Sequence, residues 1–199
     1  METIILVFLP LILFAYLPQL LSYRTWLMIA GFLYFFYFII AEKIDHKTLG
    51  LTFKNLIPAL RSVLLPTFFV LAIMFMAIPI GWDSKFFFIK EMVGEIKAKP
   101  VEFNYLYAIF ISAPIQEILF RSFYISRLEA ISKNKFFLIV WSAAVFALIH
   151  TPFENKLFAV FTFALGLIYA DNFLKYRNLL AIVISHALLL CGVIFQVIY

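Results

Sequence analysis

Glu117 is the one carboxylate lying well inside an apolar run of this chain, and Arg121 follows it four residues later. A charge at the centre of a bilayer costs several kcal/mol and persists there only with a partner or a task. On a helix the two residues share a face, with the carboxylate on the favoured amino-terminal side of the cation. A self-neutralising structural ion pair explains that spacing as well as chemistry does. Gln116 projects about 100° away around the helix axis and suits either a reactive site or a hydrogen bond to a neighbouring helix.

The chain has three histidines. His150 closes the run Phe146-Ala147-Leu148-Ile149-His150, and His186 follows Ser185 within the last apolar stretch. A lone histidine in such a helix is more often a packing residue than a ligand. Two of them, in the same half of the chain as Glu117, favour a shared site. His46 stands in a charged loop and reads as solvated, and the single cysteine, Cys191, forms no intrachain disulfide and reads as a small buried hydrophobe. One carboxylate, two imidazoles and an arginine converging in a bundle have three uses. They can activate water for hydrolysis. They can hold zinc or iron through Glu117, His150 and His186, or relay protons in a transporter. Spacing alone leaves these open, because three separate segments carry the residues.

The elements that must position these groups are membrane helices. Hydrophobic residues make up 65% of the 199, 14% are charged and the mean hydropathy is +1.04, so too few polar side chains exist to clothe a soluble domain. Apolar runs lie at about 4–21, 26–41, 63–82, 103–124, 136–150, 157–173 and 179–199. Roughly 20 apolar residues cross the hydrocarbon core, which predicts an all-α, polytopic transmembrane bundle of about seven helices. The shorter fifth run must tilt little or sit partly inside the bundle. The first run has no preceding basic residue and no small-residue cleavage pattern, and is expected to be a retained helix. Between the second and third runs, Phe53, Leu56, Ile57 and Leu60 sit at helical spacing and predict an interfacial helix. The stretch 83–102 mixes Lys and Glu with apolar residues and suits a membrane surface. A single membrane domain, 1–199, is the simplest division, with a motif-bearing core at about 103–199 and amino-terminal helices and interfacial loops over 1–102.

With seven spans, Lys43, Lys47, Lys54, Arg61, Arg127, Lys133, Lys135, Lys175 and Arg177 fall on one side, against Arg24, Lys85, Lys90, Lys97, Lys99 and Lys156 on the other. The positive-inside tendency then places the amino terminus in the cytoplasm. The net charge of +5 reflects topology and anionic lipid rather than nucleic acid, since no basic cluster is interleaved with surface aromatics.

Three short motifs on these helices resemble the CPBP family of intramembrane proteases, the CAAX protease and bacteriocin-processing or Abi family. Its first motif, Glu-Glu-x-x-x-Arg, is similar to Gln116-Glu117-Ile118-Leu119-Phe120-Arg121. Its second, Phe-x-x-x-His, matches Phe146 to His150, and its third, His-x-x-x-Asn, resembles His186 with Leu190. Order and spacing agree, and Ser142-Ala143-Ala144-Val145 before Phe146 is also similar to family sequences. The resemblance covers roughly Ile111 to Leu190.

The resemblance implies a glutamic-type peptidase in which an activated water attacks a peptide carbonyl within the membrane. The family includes prenyl-protein endopeptidases that remove carboxyl-terminal tripeptides and bacterial members tied to bacteriocin maturation, immunity or protein sorting. The expected roles are Glu117 as water activator, His150 as proton shuttle, His186 and Gln116 as oxyanion stabilisers and Arg121 as anchor of Glu117. The implied partners are a membrane-associated peptide or protein substrate and the lipid bilayer, with no nucleic acid. No cofactor is required on this reading, and the setting is a bacterial cytoplasmic membrane. Two positions depart from the family pattern. Gln116 replaces the glutamate credited with activating water, and a neutral amide is no general base. Leu190 replaces the third-motif Asn, an oxyanion donor of a kind whose loss costs about 2.7–4 kcal/mol elsewhere. A catalytically silent binding or immunity protein and a small proton-coupled transporter are the alternatives.

Overall fold

The computed structural model describes residues 24–43, 45–77, 90–150 and 156–199. The expected first run, 4–21, lies outside these residues, as do the end of the third run, 78–82, and the first part, 83–89, of the stretch 83–102. Among the described residues there are seven helices and no strands. They are α1 (Arg24–Glu42), α2 (Leu56–Ala77), α3 (Lys90–Lys97), α4 (Val101–Ile131), α5 (Lys135–Leu148), α6 (Lys156–Tyr176) and α7 (Leu179–Ile198). The all-α bundle is borne out, though its seven members include the short polar α3. Four helices are long and apolar enough to cross a membrane, namely Leu56–Met76, Val101–Ile131, Phe158–Tyr176 and Leu179–Ile198.

The interfacial helix expected before the third run is not a separate element. Leu56, Ile57 and Leu60 form the first turns of α2, which continues to Ala77, while 45–55 is a strap of turns. The strap's backbone is satisfied by its own turns, such as Thr48 N–H donating to Asp45 O at 3.0 Å, and by tertiary partners. Ser122 donates to Leu49 O at 2.7 Å, Leu179 N–H donates to Gly50 O at 2.9 Å, and Asn178 donates to Thr52 O and Lys54 O at 2.7 and 2.9 Å. Gly50 has φ +72°, and a Cβ there would meet the Phe173 ring at 2.7 Å, so the strap passes where only glycine fits. Asn178 also accepts from Ala181 N–H and so caps α7.

Helix α4 carries two π-helical turns, Ala108–Ser112 and Ile118–Phe123. Pro114 lies just past the first. It has no N–H for the Phe110 carbonyl and its ring crowds that group, and Ala113 N–H accordingly reaches five residues back to Ala108 O. The two wide turns bracket the segment Ala113–Glu117.

Helix α5 is capped by Asn134, which accepts from Phe137 N–H at 3.1 Å. Its 14 residues reach only about 21 Å, short of the roughly 30 Å hydrocarbon core, and Leu138, Ser142, Ala143, Val145, Phe146 and Ala147 are buried. It therefore sits partly inside the bundle. Gly166 of α6 lets it approach closely, since a Cβ there would stand 2.8 Å from Ala143 Cα. The core joins Val63, Val70 and Met74 of α2 to Ile125 of α4, Tyr169 and Phe173 of α6, and Ile182 and Leu189 of α7. Large apolar side chains such as Leu65, Phe68, Phe69, Phe136 and Val160 face outward, as a lipid-facing surface requires. Arg177, beside the 45–55 strap, pairs with Glu129, and Lys135 pairs with Asp171 at 2.8 Å.

Candidate active site

Helix α4 presents Glu117 and Arg121 to the bundle interior, and both side chains are fully buried. Glu117 Oε2 lies 3.2 Å from Arg121 Nε. The contact is an ion pair rather than an aligned hydrogen bond, and Nη1 and Nη2 have no hydrogen-bond partner among the described residues. The guanidinium lies over the Phe146 ring at 4.3 Å and near the Tyr169 ring at 5.7 Å, so α5 and α6 hold it through aromatic faces.

The other carboxylate oxygen, Oε1, is 2.7 Å from Nδ1 of His186 on α7. A carboxylate paired with arginine only accepts, so Nδ1 carries the hydrogen toward Glu117 and Nε2 is the ring's other proton site. His150 stands just beyond the end of α5, with Nδ1 2.6 Å from Phe146 O. A carbonyl only accepts as well, and Nδ1 of His150 therefore also carries a hydrogen. Phe146 contacts both imidazoles, its ring 4.8 Å from His150 and 6.0 Å from His186. His150 is within electrostatic reach of His186, Arg121 and Glu117.

The structure thus brings Arg121 and His186 into contact with Glu117 and sets His150 against Phe146, which also contacts His186 and Arg121. Gln116 bonds within its own helix, Nε2 donating to Ser112 Oγ at 3.0 Å, while Oε1 is buried without a hydrogen-bond partner among the described residues. Leu190 is half-buried one turn beyond His186. Among the described residues no three His, Cys, Asp or Glu side chains are grouped as a metal-ligand set, so Glu117, His150 and His186 do not form one. Sequence reasoning missed Tyr169 and Thr67, whose hydroxyls meet at Ser185. The available signal was a polar atom within each apolar run.

A carboxylate that orients an imidazole inside a membrane bundle, with a second imidazole alongside, is equipped for proton transfer at a shielded site, and the chain is an integral membrane protein. Residues 100–191 match the family model for type II CAAX prenyl endopeptidase Rce1-like proteins. The match encloses all three motifs and agrees with a CPBP-family intramembrane protease, bearing out the resemblance carried by Gln116 to Leu190. Comparison with curated proteins and with solved structures gives no match.

Proposed function

We propose that the chain is an intramembrane endopeptidase that hydrolyses a peptide bond in a membrane-associated substrate. The observation that supports this most is the Glu117 carboxylate bridging Arg121 and His186. The sequence expectation has Glu117 activating water itself. Its side chain is fully enclosed with both oxygens engaged, whereas the His186 side chain keeps 10% exposure, which favours a division of labour. Water gives a proton to His186 Nε2, its oxygen bonds to the carbonyl carbon, and Glu117 stabilises the imidazolium that forms. Arg121 holds Glu117 in place. One amide hydrogen of Gln116 is on Ser112, and the other serves the oxyanion. As the C–N bond breaks, the proton reaches the leaving amine through His150. No cofactor takes part, the amino terminus faces the cytoplasm, and the setting is a bacterial cytoplasmic membrane.

The test uses the whole chain in lipid vesicles with a farnesylated peptide ending in a CAAX sequence, the substrate class that the family name suggests. Glu117→Gln, His186→Asn and His150→Asn are each expected to lower cleavage by about 10²- to 10⁴-fold, the range for lost acid–base groups. Unchanged cleavage in all three contradicts the proposal.

A second reading, a catalytically silent binding or immunity protein, is favoured by the Gln116 amide engaged with Ser112 where the family has a carboxylate and by Leu190. On that reading wild type is inactive and Gln116→Glu with Leu190→Asn gains cleavage. Wild-type turnover sinks it.

A further inference from the structure

Tyr169 is a buried phenol that the proposed reaction does not use, and a one-way chain of hydrogen bonds holds its hydroxyl. Thr67 donates to Val63 O in its own helix at 2.6 Å, so its oxygen accepts from Ser185 at 2.5 Å. Ser185 in turn accepts from the Tyr169 hydroxyl at 3.0 Å. Each hydroxyl has a single hydrogen, and the Val63 carbonyl that ends the chain has none, which fixes the order of donors. All three side chains are buried, and α2, α6 and α7 contribute one each. The ring anchored in this way lies 6.0 Å from the His186 ring and 5.7 Å from the Arg121 guanidinium. Phe146 contacts the same two groups from α5, at 6.0 and 4.3 Å. Tyr169 and Phe146 are thus aromatic contacts shared by both partners of Glu117.

We infer that Tyr169 is a positioning residue, and that the Tyr169–Ser185–Thr67 chain fixes the ring against which His186 is held at Glu117. The inference rests on the peptidase reading only for its kinetic consequence. Hydroxyls between membrane helices also serve as plain packing contacts. A packing role changes how much protein folds but leaves the imidazole environment of the folded protein alone, and this difference makes the two distinguishable.

The experiment uses the whole chain, ¹⁵N-labelled at histidine, in lipid nanodiscs. The His186 ring resonances are assigned by their loss in His186→Asn, and Glu117→Gln marks the position of an Nδ1–H without its carboxylate. Tyr169→Phe keeps the ring and removes one oxygen. It is expected to move the His186 Nδ1–H resonance toward the Glu117→Gln position and to lower kcat about five- to tenfold at unchanged KM, the rate equivalent of one buried hydrogen bond. Thr67→Val breaks the chain at its far end and shifts the resonance the same way, while Thr67→Ser restores the wild-type spectrum. An unmoved His186 resonance in both Tyr169→Phe and Thr67→Val overturns the inference. A moved resonance in a protein whose wild type cleaves nothing supports the inference and removes the peptidase reading.

Discussion

Both oxygens of Glu117 are committed inside the protein, to Arg121 at 3.2 Å and to His186 at 2.7 Å, and energetics as well as chemistry depend on this. Removing one member of a buried ion pair strands the other charge, at about 3–5 kcal/mol, whereas replacing both by neutral groups of similar volume is close to neutral. Arg121→Met is therefore expected to lower the thermal unfolding midpoint in detergent sharply, and the double variant Glu117→Gln with Arg121→Met to recover most of that loss while staying inactive. Additive destabilisation contradicts the coupling. At this scale the sequence was partly legible. Glu117 and Arg121 are four residues apart, so local helix geometry alone predicted their contact. The His186–Glu117 bond spans 69 residues and the Thr67–Ser185 bond 118. Only helix packing brings such pairs together, which is why the sequence left three chemistries open and gave Tyr169 no role.

Helix α4 sets where Glu117 points, and its two π turns make its faces differ from those of a regular helix. Each wide turn adds about one residue, roughly 100° of rotation, to the residues beyond it. Pro114→Ala returns an N–H to the Phe110 carbonyl and removes the reason for the first wide turn. The expected result is an unfolding midpoint equal to or above wild type, because an interior proline costs about 3 kcal/mol in a regular helix, together with at least tenfold weaker cleavage as Glu117 is turned from His186. Retained cleavage contradicts the positioning role of the π turn. Hydropathy revealed the helices but not these details. Apolar periodicity was blind to the π turns, and it placed the start of α2 seven residues late because Leu56 to Ser62 mixes polar and apolar positions. It also read those positions as an interfacial helix, since nothing local announces that Asn178 and Leu179 satisfy the 45–55 strap.

At the scale of the whole molecule, the strap at 45–55, the α4–α5 turn and the α6–α7 turn meet at one end of the bundle, joined by Ser122, Asn178 and the Arg177–Glu129 pair. These are loops that the alternation of the expected spans groups on one side, the side richer in Lys and Arg. In a Cys191→Ala background, Lys47→Cys and Lys133→Cys are expected to react with a membrane-impermeant maleimide from the same face, the cytoplasmic one, in sealed vesicles of known orientation. Labelling from opposite faces contradicts the topology.

The most direct test of hydrolysis at the Glu117–His186 pair is mass spectrometry of the farnesylated peptide after incubation with the purified chain in H₂¹⁸O, with a divalent-metal chelator present. The account predicts one ¹⁸O atom in the new carboxyl group, formed by wild type with or without chelator and abolished in both Glu117→Gln and His186→Asn. Cleavage that persists in those two variants, or that stops with chelator alone, contradicts it.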